Sequence, residues 1–231
     1  MNEARIRENL ETVRGRIRDA ARRAGRAPDS IRLVAVTKRN PPEQIRPLIA
    51  AGALDLGENY PQELWKKVEA LEGLFARWHL IGHLQGNKAK KTLPMVRLIH
   101  AVDSLKLLEA LDALARDQAD PPAVCLQVNT SGETAKHGWS PSEIAGDAES
   151  IAGCRFIPVA GLMTMAALDS IPETARASFA TLRAVRDALR VRTGLPLNEL
   201  SMGMSGDFEA AIEEGATLVR IGSALFEGVE P

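Results

Sequence analysis

RLVAVTKRN, residues 32–40, is the stretch that decides the fold. Leu33-Val34-Ala35-Val36 is a short apolar run without polar alternation, which is how a strand covered on both faces reads. It breaks at Thr37-Lys38, and after Pro41-Pro42 a helical pattern takes over at 42–51. The same unit recurs down the chain. Strands are predicted at 32–37, 54–57, 78–81, 98–101, 124–128, 157–162, 199–201 and 218–221. Helices are predicted between them at 42–51, 61–71, 87–95, 104–116, 140–151, 172–192 and 207–214. Strand alternating with helix means parallel strands joined by crossovers. Eight such units predict the α/β class and a closed (β/α)8 TIM barrel. An open doubly wound sheet more often has about five or six strands, and the chain has no G-x-G-x-x-G fingerprint.

An extra helix is predicted ahead of the barrel, over 3–24, where Ile6, Leu10, Val13, Ile17 and Ala21 recur at helical spacing among arginines and glutamates. Residues 223–231 leave room for about two helical turns after the eighth strand. The N-terminal helix is therefore expected to cover barrel surface there. The 231 residues read as a single domain, 1–231, with no linker or low-complexity segment. Net charge is −1, from 29 basic and 30 acidic residues, so nothing draws the chain as a whole to nucleic acid or to an anionic membrane. No apolar run approaches the ~18 residues of a membrane span. The charged start, MNEARIRENLETVRGR, does not read as a secretory signal, and Cys125 and Cys154 form no C-x-x-C motif. A cytoplasmic protein with two buried thiols is expected.

In such barrels the chemistry gathers at the C-terminal ends of the strands, so Lys38 belongs to that rim. A desolvated lysine loses its charge more readily and can form a Schiff base with a carbonyl. The plain alternative is a solvated loop lysine. LSMGMSGDFEAAIEEG (200–215) and LVRIGSALFEG (218–228) both read as strand, glycine turn, helix, with Ser205, Gly222 and Ser223 at the turns. Either serine alone reads as an N-cap. Two neighbouring helix starts after strands seven and eight read as an anion site, because free main-chain N–H groups, serine hydroxyls and glycines converge there. Arg220 adds a permanent cation. Asp207 and Glu209 would repel a phosphate and have to face away from it.

Other rim positions are less specific. Asn59, in DLGENYPQE (55–63), can bond a ring substituent or cap the helix that starts at Pro61. His79 and His83 are spaced too far apart on a strand to share a metal ion; His79 reads as a site residue or as a satisfied core histidine. Lys88, Lys90 and Lys91 read as a solvated helix face. Lys136 is a rival Schiff-base lysine. Met163, in GLMTMA (161–166), packs either on a flat ligand or in the core.

In this order, LVAVTK, DLGENYPQE, WHLIGHLQGNK, GLMTM, LSMGMSGDFEAAI and VRIGSALFEG resemble the pyridoxal phosphate homeostasis proteins, single-domain relatives of the alanine racemase barrel. The resemblance runs from about residue 5 to residue 228. It implies the type III fold of pyridoxal 5′-phosphate (PLP) proteins. It also implies PLP held by Lys38 as a Schiff base, with its phosphate at Ser205, Gly222 and Ser223. Arg220 would lie at the phosphate or the pyridine nitrogen. Asn59, His79 and Met163 would lie nearby. Phe226-Glu227-Gly228 departs from the Phe-Gly of many relatives, which puts the last loop's geometry in question.

The implied role is a monomeric carrier that buffers PLP, hands it to apoenzymes, and keeps vitamin B6 and amino-acid pools in balance, without strong catalysis of its own. Racemases of the related fold use a tyrosine from an added β domain, whereas the one tyrosine here is Tyr60. Two enzyme readings stay open beside it. One is a PLP-dependent amino-acid racemase or decarboxylase, which would consume or racemise added amino acids. The other is a lysine Schiff-base aldolase acting on a sugar phosphate, which borohydride would trap only with substrate present.

Overall fold

The computed structural model describes residues 2–133, 137–167 and 172–229. The described elements run α1 (Asn2–Arg23), β1 (Arg32–Val36), α2 (Pro42–Ala50), β2 (Asp55–Glu58), α3 (Pro61–Ala70), β3 (Arg77–Leu80), α4 (Gly86–Thr92), β4 (Leu98–Val102) and α5 (Leu105–Ala115). They continue β5 (Ala123–Gln127), α6 (Pro141–Gly146), α7 (Ala148–Gly153), β6 (Val159–Met163), α8 (Pro172–Thr193), β7 (Glu199–Ser201), α9 (Phe208–Glu213) and β8 (Leu218–Ile221). The strands pair in sequence order, all parallel, and β8 returns to β1, so the barrel closes as expected.

The predicted helix at 140–151 is two short helices. Gly146 weakens its middle, and Asp147 turns its carboxylate to the Trp139 indole, whose Nε1–H donates across 2.8 Å. The sixth strand starts later than its apolar run. Pro158 has no N–H, and the main-chain N–H groups of Phe156 and Ile157 both donate to Asp112 of α5, at 2.7 and 2.9 Å. The last barrel helix is reduced to one 3-10 turn, Ser223–Leu225. α1 packs there and against α9 and α2. Its Ile6, Leu10, Val13 and Ile17 are buried, and Asn9 Nδ2 donates to the Leu225 and Glu227 carbonyls at 3.2 and 2.9 Å.

Apolar packing falls into two shells. The larger lies between strands and helices. The smaller, inside the barrel, holds Val34, Leu98, Ala101, Cys125, Met163 and Leu218. The interior is not purely apolar: Asp55, His79, His100, Ser201 and Arg220 are also buried.

Candidate functional site

The β1–β8 seam brings two separate sequence motifs together. Ala35 lies opposite Ile221, so the strands leave the sheet side by side, one toward Lys38 and the other toward Gly222 and Ser223. Gly222 is pressed on Val36: a Cβ placed there would meet Val36 Cβ at 3.3 Å and Val36 O at 3.4 Å. Ser205 joins from β7, its Oγ accepting the Ala224 N–H at 3.4 Å. Ser205 therefore caps the neighbouring turn and not its own helix, whose N-cap position is Asp207. Among the described residues the main-chain N–H groups of Gly206 and Ser223 take no partner. Glycine turns, two hydroxyls and spare N–H donors in one place form a cradle for a small oxyanion.

The two acids of this region are turned to other work. Glu209 pairs with Arg16 of α1 at 2.6 Å. Asp207 accepts the Met204 N–H at 2.6 Å, and burial raises its carboxyl above the ordinary range. Glu227, in the last loop, is tied to α1. Its carbonyl is held by Asn9 and by Arg5 Nε, at 2.9 and 3.3 Å.

Lys38 stands at the tip of β1, exposed, and takes no side-chain partner among the described residues. The sequence-based expectation of a desolvated lysine is therefore corrected: burial begins one residue earlier. Thr37 is fully buried and donates from Oγ1 to Glu58 Oε1 at 2.6 Å. Lys67 of α3 reaches the same oxygen at 2.5 Å and the Thr37 carbonyl at 2.8 Å. This buried clamp fixes the strand tip that presents Lys38. Beside it opens a cavity of about 600 Å³, lined by Lys38, Arg39, Asn59, Tyr60 and Lys67 among others, on the α2–α3 side of the rim. Ser205, Gly222 and Ser223 do not line it.

Asn59 is half-buried and does not cap α3, whose N-cap position is Tyr60. Its carbonyl packs on Gly82, where a Cβ would come within 2.2 Å. Met163 lies in the inner shell as core. His79 is the satisfied core histidine, not a rim ligand: Nε2 bonds Asp55 Oδ1 at 3.0 Å and Nδ1 bonds His100 Nε2 at 2.9 Å. His83 sits apart, its Nδ1 2.8 Å from Asp103 Oδ2. Lys136 lies outside the described residues.

Arg220 points into the barrel. Nη1 donates to Ser201 Oγ at 2.6 Å and Nη2 donates to the Thr164 carbonyl at 2.9 Å. Burial pushes its pKa down to about 10, which still leaves it a cation at neutral pH. Lys67, Asp55, His100 and Ser201 were not singled out from sequence, and Glu58 was placed only at the rim. Their signal was there, since Asp55, Glu58, His100 and Ser201 are each a polar residue inside or closing an otherwise apolar strand run.

Residues 2–230 match the family model "Alanine racemase, N-terminal domain". The chain is 42% identical to the pyridoxal phosphate homeostasis protein of Pseudomonas aeruginosa, over 96% of this chain and 94% of that one. It is also 42% identical to the protein of that name from Aquifex aeolicus, over 95% and 96%. Among solved structures, PipY of Synechococcus elongatus with PLP bound is 36% identical, with a TM-score of 0.85 over 96% of this chain and 99% of that one. Alanine racemase from Corynebacterium glutamicum shares the fold, with a TM-score of 0.70 at 18% identity over 96% of this chain and 63% of that one.

Proposed function

Because the chain belongs to the pyridoxal phosphate homeostasis proteins, within the alanine racemase N-terminal domain family, we propose that it binds PLP and serves as a carrier and buffer of it, not as an enzyme of high turnover. One observation carries the reading. An unpartnered amine (Lys38), an oxyanion cradle (Ser205, Gly206, Gly222 and Ser223) and a buried cation (Arg220) converge on the ends of β1, β7 and β8. PLP has three matching features: an aldehyde, a phosphate and a ring nitrogen that accepts a hydrogen bond.

In this reading Lys38 holds the aldehyde as a Schiff base and the two glycine turns hold the phosphate. Arg220 faces the ring nitrogen, because its side chain reaches inward to Ser201 at the end of β7 and to the Thr164 carbonyl beyond β6, and takes no partner in the turns at 205–206 and 222–223 that form the cradle. PLP supplies a reactive aldehyde and an electron sink when bound. A guanidinium beside the ring nitrogen disfavours protonating it, since a second positive charge there is repelled. That weakens the sink and suits a carrier. Apoenzymes are the recipients in this reading, the barrel acts as one domain and a monomer, and its place is the cytoplasm.

The test is the visible spectrum of protein loaded with PLP, before and after borohydride, followed by peptide mapping. A band that bleaches and leaves a pyridoxyl group on Lys38, and that Lys38→Ala abolishes, is the expected result. No band with added PLP, or an adduct that persists at Lys136 in Lys38→Ala, overturns the assignment. Racemisation or decarboxylation of amino acids at enzymatic rates overturns the carrier role.

A further inference from the structure

The most unusual feature of the barrel interior is a continuous chain of buried polar side chains that climbs from floor to mouth. Its lower end, Asp55, is anchored from outside by Arg77, an exposed residue at the N-terminal end of β3. Arg77 grips Asp55 through Nε–Oδ1 at 2.9 Å and Nη2–Oδ2 at 2.6 Å. Asp55 meets His79 at 3.0 Å, His79 meets His100 at 2.9 Å, and His100 Nδ1 meets Ser201 Oγ at 2.7 Å. Ser201 meets Arg220 at 2.6 Å. The links join β2, β3, β4, β7 and β8, so they cross the barrel and do not follow one strand pair. Among the described residues no buried side-chain nitrogen or oxygen is left without a partner.

With both imidazoles neutral, the chemistry of the two ends fixes every proton between them. Arg220 can only donate, so Ser201 Oγ accepts there and has one O–H left to give. That O–H goes to His100 Nδ1, which must be bare, so His100 carries its proton on Nε2. His100 Nε2–H then donates to His79 Nδ1, and His79 carries its proton on Nε2 as well. That proton goes to Asp55, which as a carboxylate can only accept. Reading from Asp55 upward gives the same assignment. One arrangement with two neutral imidazoles satisfies all the groups, and every donor points toward Asp55.

Arg220 itself has only a hydroxyl and a carbonyl as direct partners. A buried cation is costly unless something balances it. The Asp207 carboxylate acts on it through space, and a chain of dipoles aligned toward Asp55 adds to that balance, since hydrogen bonds in series polarise one another. Resting on the reading that Arg220 faces the PLP ring, we propose that Asp55, His79, His100 and Ser201 are positioning residues for Arg220. They form a one-way hydrogen-bond chain that ties the cation at the barrel mouth to a carboxylate on the barrel floor, and so tune the grip on PLP from the opposite end of the barrel.

Two measurements test this, and the first needs no PLP. Long-range ¹H–¹⁵N NMR of the histidine rings in the unloaded protein should show His79 and His100 both neutral and both protonated on Nε2 at pH 7. Either ring found cationic, or protonated on Nδ1, overturns the chain whatever PLP does. The second compares PLP affinity and the visible band in Asp55→Asn and Glu199→Gln. Asp55→Asn keeps an acceptor oxygen for His79 but removes the charge that ends the chain. Glu199→Gln removes a floor charge outside the chain, where Glu199 bonds Thr217 and pairs with Arg32. The expected result is a PLP affinity roughly 2- to 30-fold weaker and a shifted band for Asp55→Asn, the range of mutations along a coupled network, with little change for Glu199→Gln. Equal effects of the two, or none from Asp55→Asn, overturn the proposal. If Asp55→Asn does not fold, Ser201→Ala makes the same comparison from the mouth end, with Ser201→Thr, which restores the hydroxyl, expected to recover affinity. Absence of PLP binding in the unmodified protein would sink the functional reading while leaving the tautomer result to judge the chain.

Discussion

Replacing Lys67 by Met probes the clamp beneath Lys38. The methionine keeps most of the length and apolar bulk of the lysine and removes its ammonium. That group now bonds Glu58 Oε1 at 2.5 Å and the Thr37 carbonyl at 2.8 Å, with the Lys67 side chain 9% and the Glu58 side chain 1% exposed. After the change, Glu58 is a buried carboxylate held by one hydroxyl, that of Thr37, and the Thr37 carbonyl has lost a donor. Removing one partner of a buried ion pair costs about 3–5 kcal/mol, far more than the ~0–1 kcal/mol of an exposed pair. Against a typical domain stability of roughly 5–15 kcal/mol, the variant should fold with a much lower urea midpoint and an unchanged slope. Adding Glu58→Gln removes the stranded charge and leaves an oxygen for the Thr37 hydroxyl. The double variant should therefore recover much of the loss, with a coupling of at least about 1 kcal/mol. A single-variant loss below about 1 kcal/mol, or strictly additive losses, would refute the argument and class the pair with surface ion pairs. Because Thr37 directly precedes Lys38, the same variant should also loosen the strand tip that presents the amine.

Three further expectations come from the interior and the seam. Gly161→Ala would set a Cβ 1.8 Å from the Glu199 carbonyl, so β6 and β7 must part; a stability loss of at least about 3 kcal/mol or insoluble protein is expected in thermal unfolding. Gly222→Ala, whose Cβ would stand 3.3 Å from Val36 Cβ, should cost less than about 1 kcal/mol while weakening PLP binding, and the reverse order of stabilities would refute the packing argument. Burial holds the His79 and His100 pKa values below the ordinary range, so from about pH 6.5 downward the unfolded chain takes up protons that the folded chain refuses. Stability should then fall with falling pH by up to about 1.4 kcal/mol per unit for each histidine. Below about pH 4 the lowered Asp55 carboxyl adds a further loss as the unfolded aspartate protonates first. Urea midpoints at a series of pH values should show a shallower slope for His100→Gln, and an equal slope would remove the buried-histidine explanation.

What could be read from the chain depended on how local each signal was. The eight strands were legible because a strand buried on both faces is an apolar run, and LVAV, VCLQ and LVRI stand out without any partner being known. Lys38, Ser205, Gly222 and Ser223 were legible because strand tips and glycine turns mark the rim. The start of β6 was missed because it is set by Asp112, more than forty residues away, taking the N–H groups of Phe156 and Ile157. Lys67 was missed because on an amphipathic helix a lysine reads as solvated, and only the β2–α3 packing shows that it turns inward to Glu58. The interior chain was missed for a different reason. Asp55, His79, His100, Ser201 and Arg220 each interrupt or close an apolar run, so five strands each contribute one polar group to the chain. Taken singly, each reads as an exception to burial. Only the barrel's closure, which places β4 opposite β7, makes each exception the partner of the next. Buried polar groups without partners cost several kcal/mol each, so five of them can share a core only as a completed set. The end group of that set, Arg220, is the one that faces the mouth. On the proposed reading of Arg220, the interior of this barrel is the support of a PLP site and not a hydrophobic core with defects.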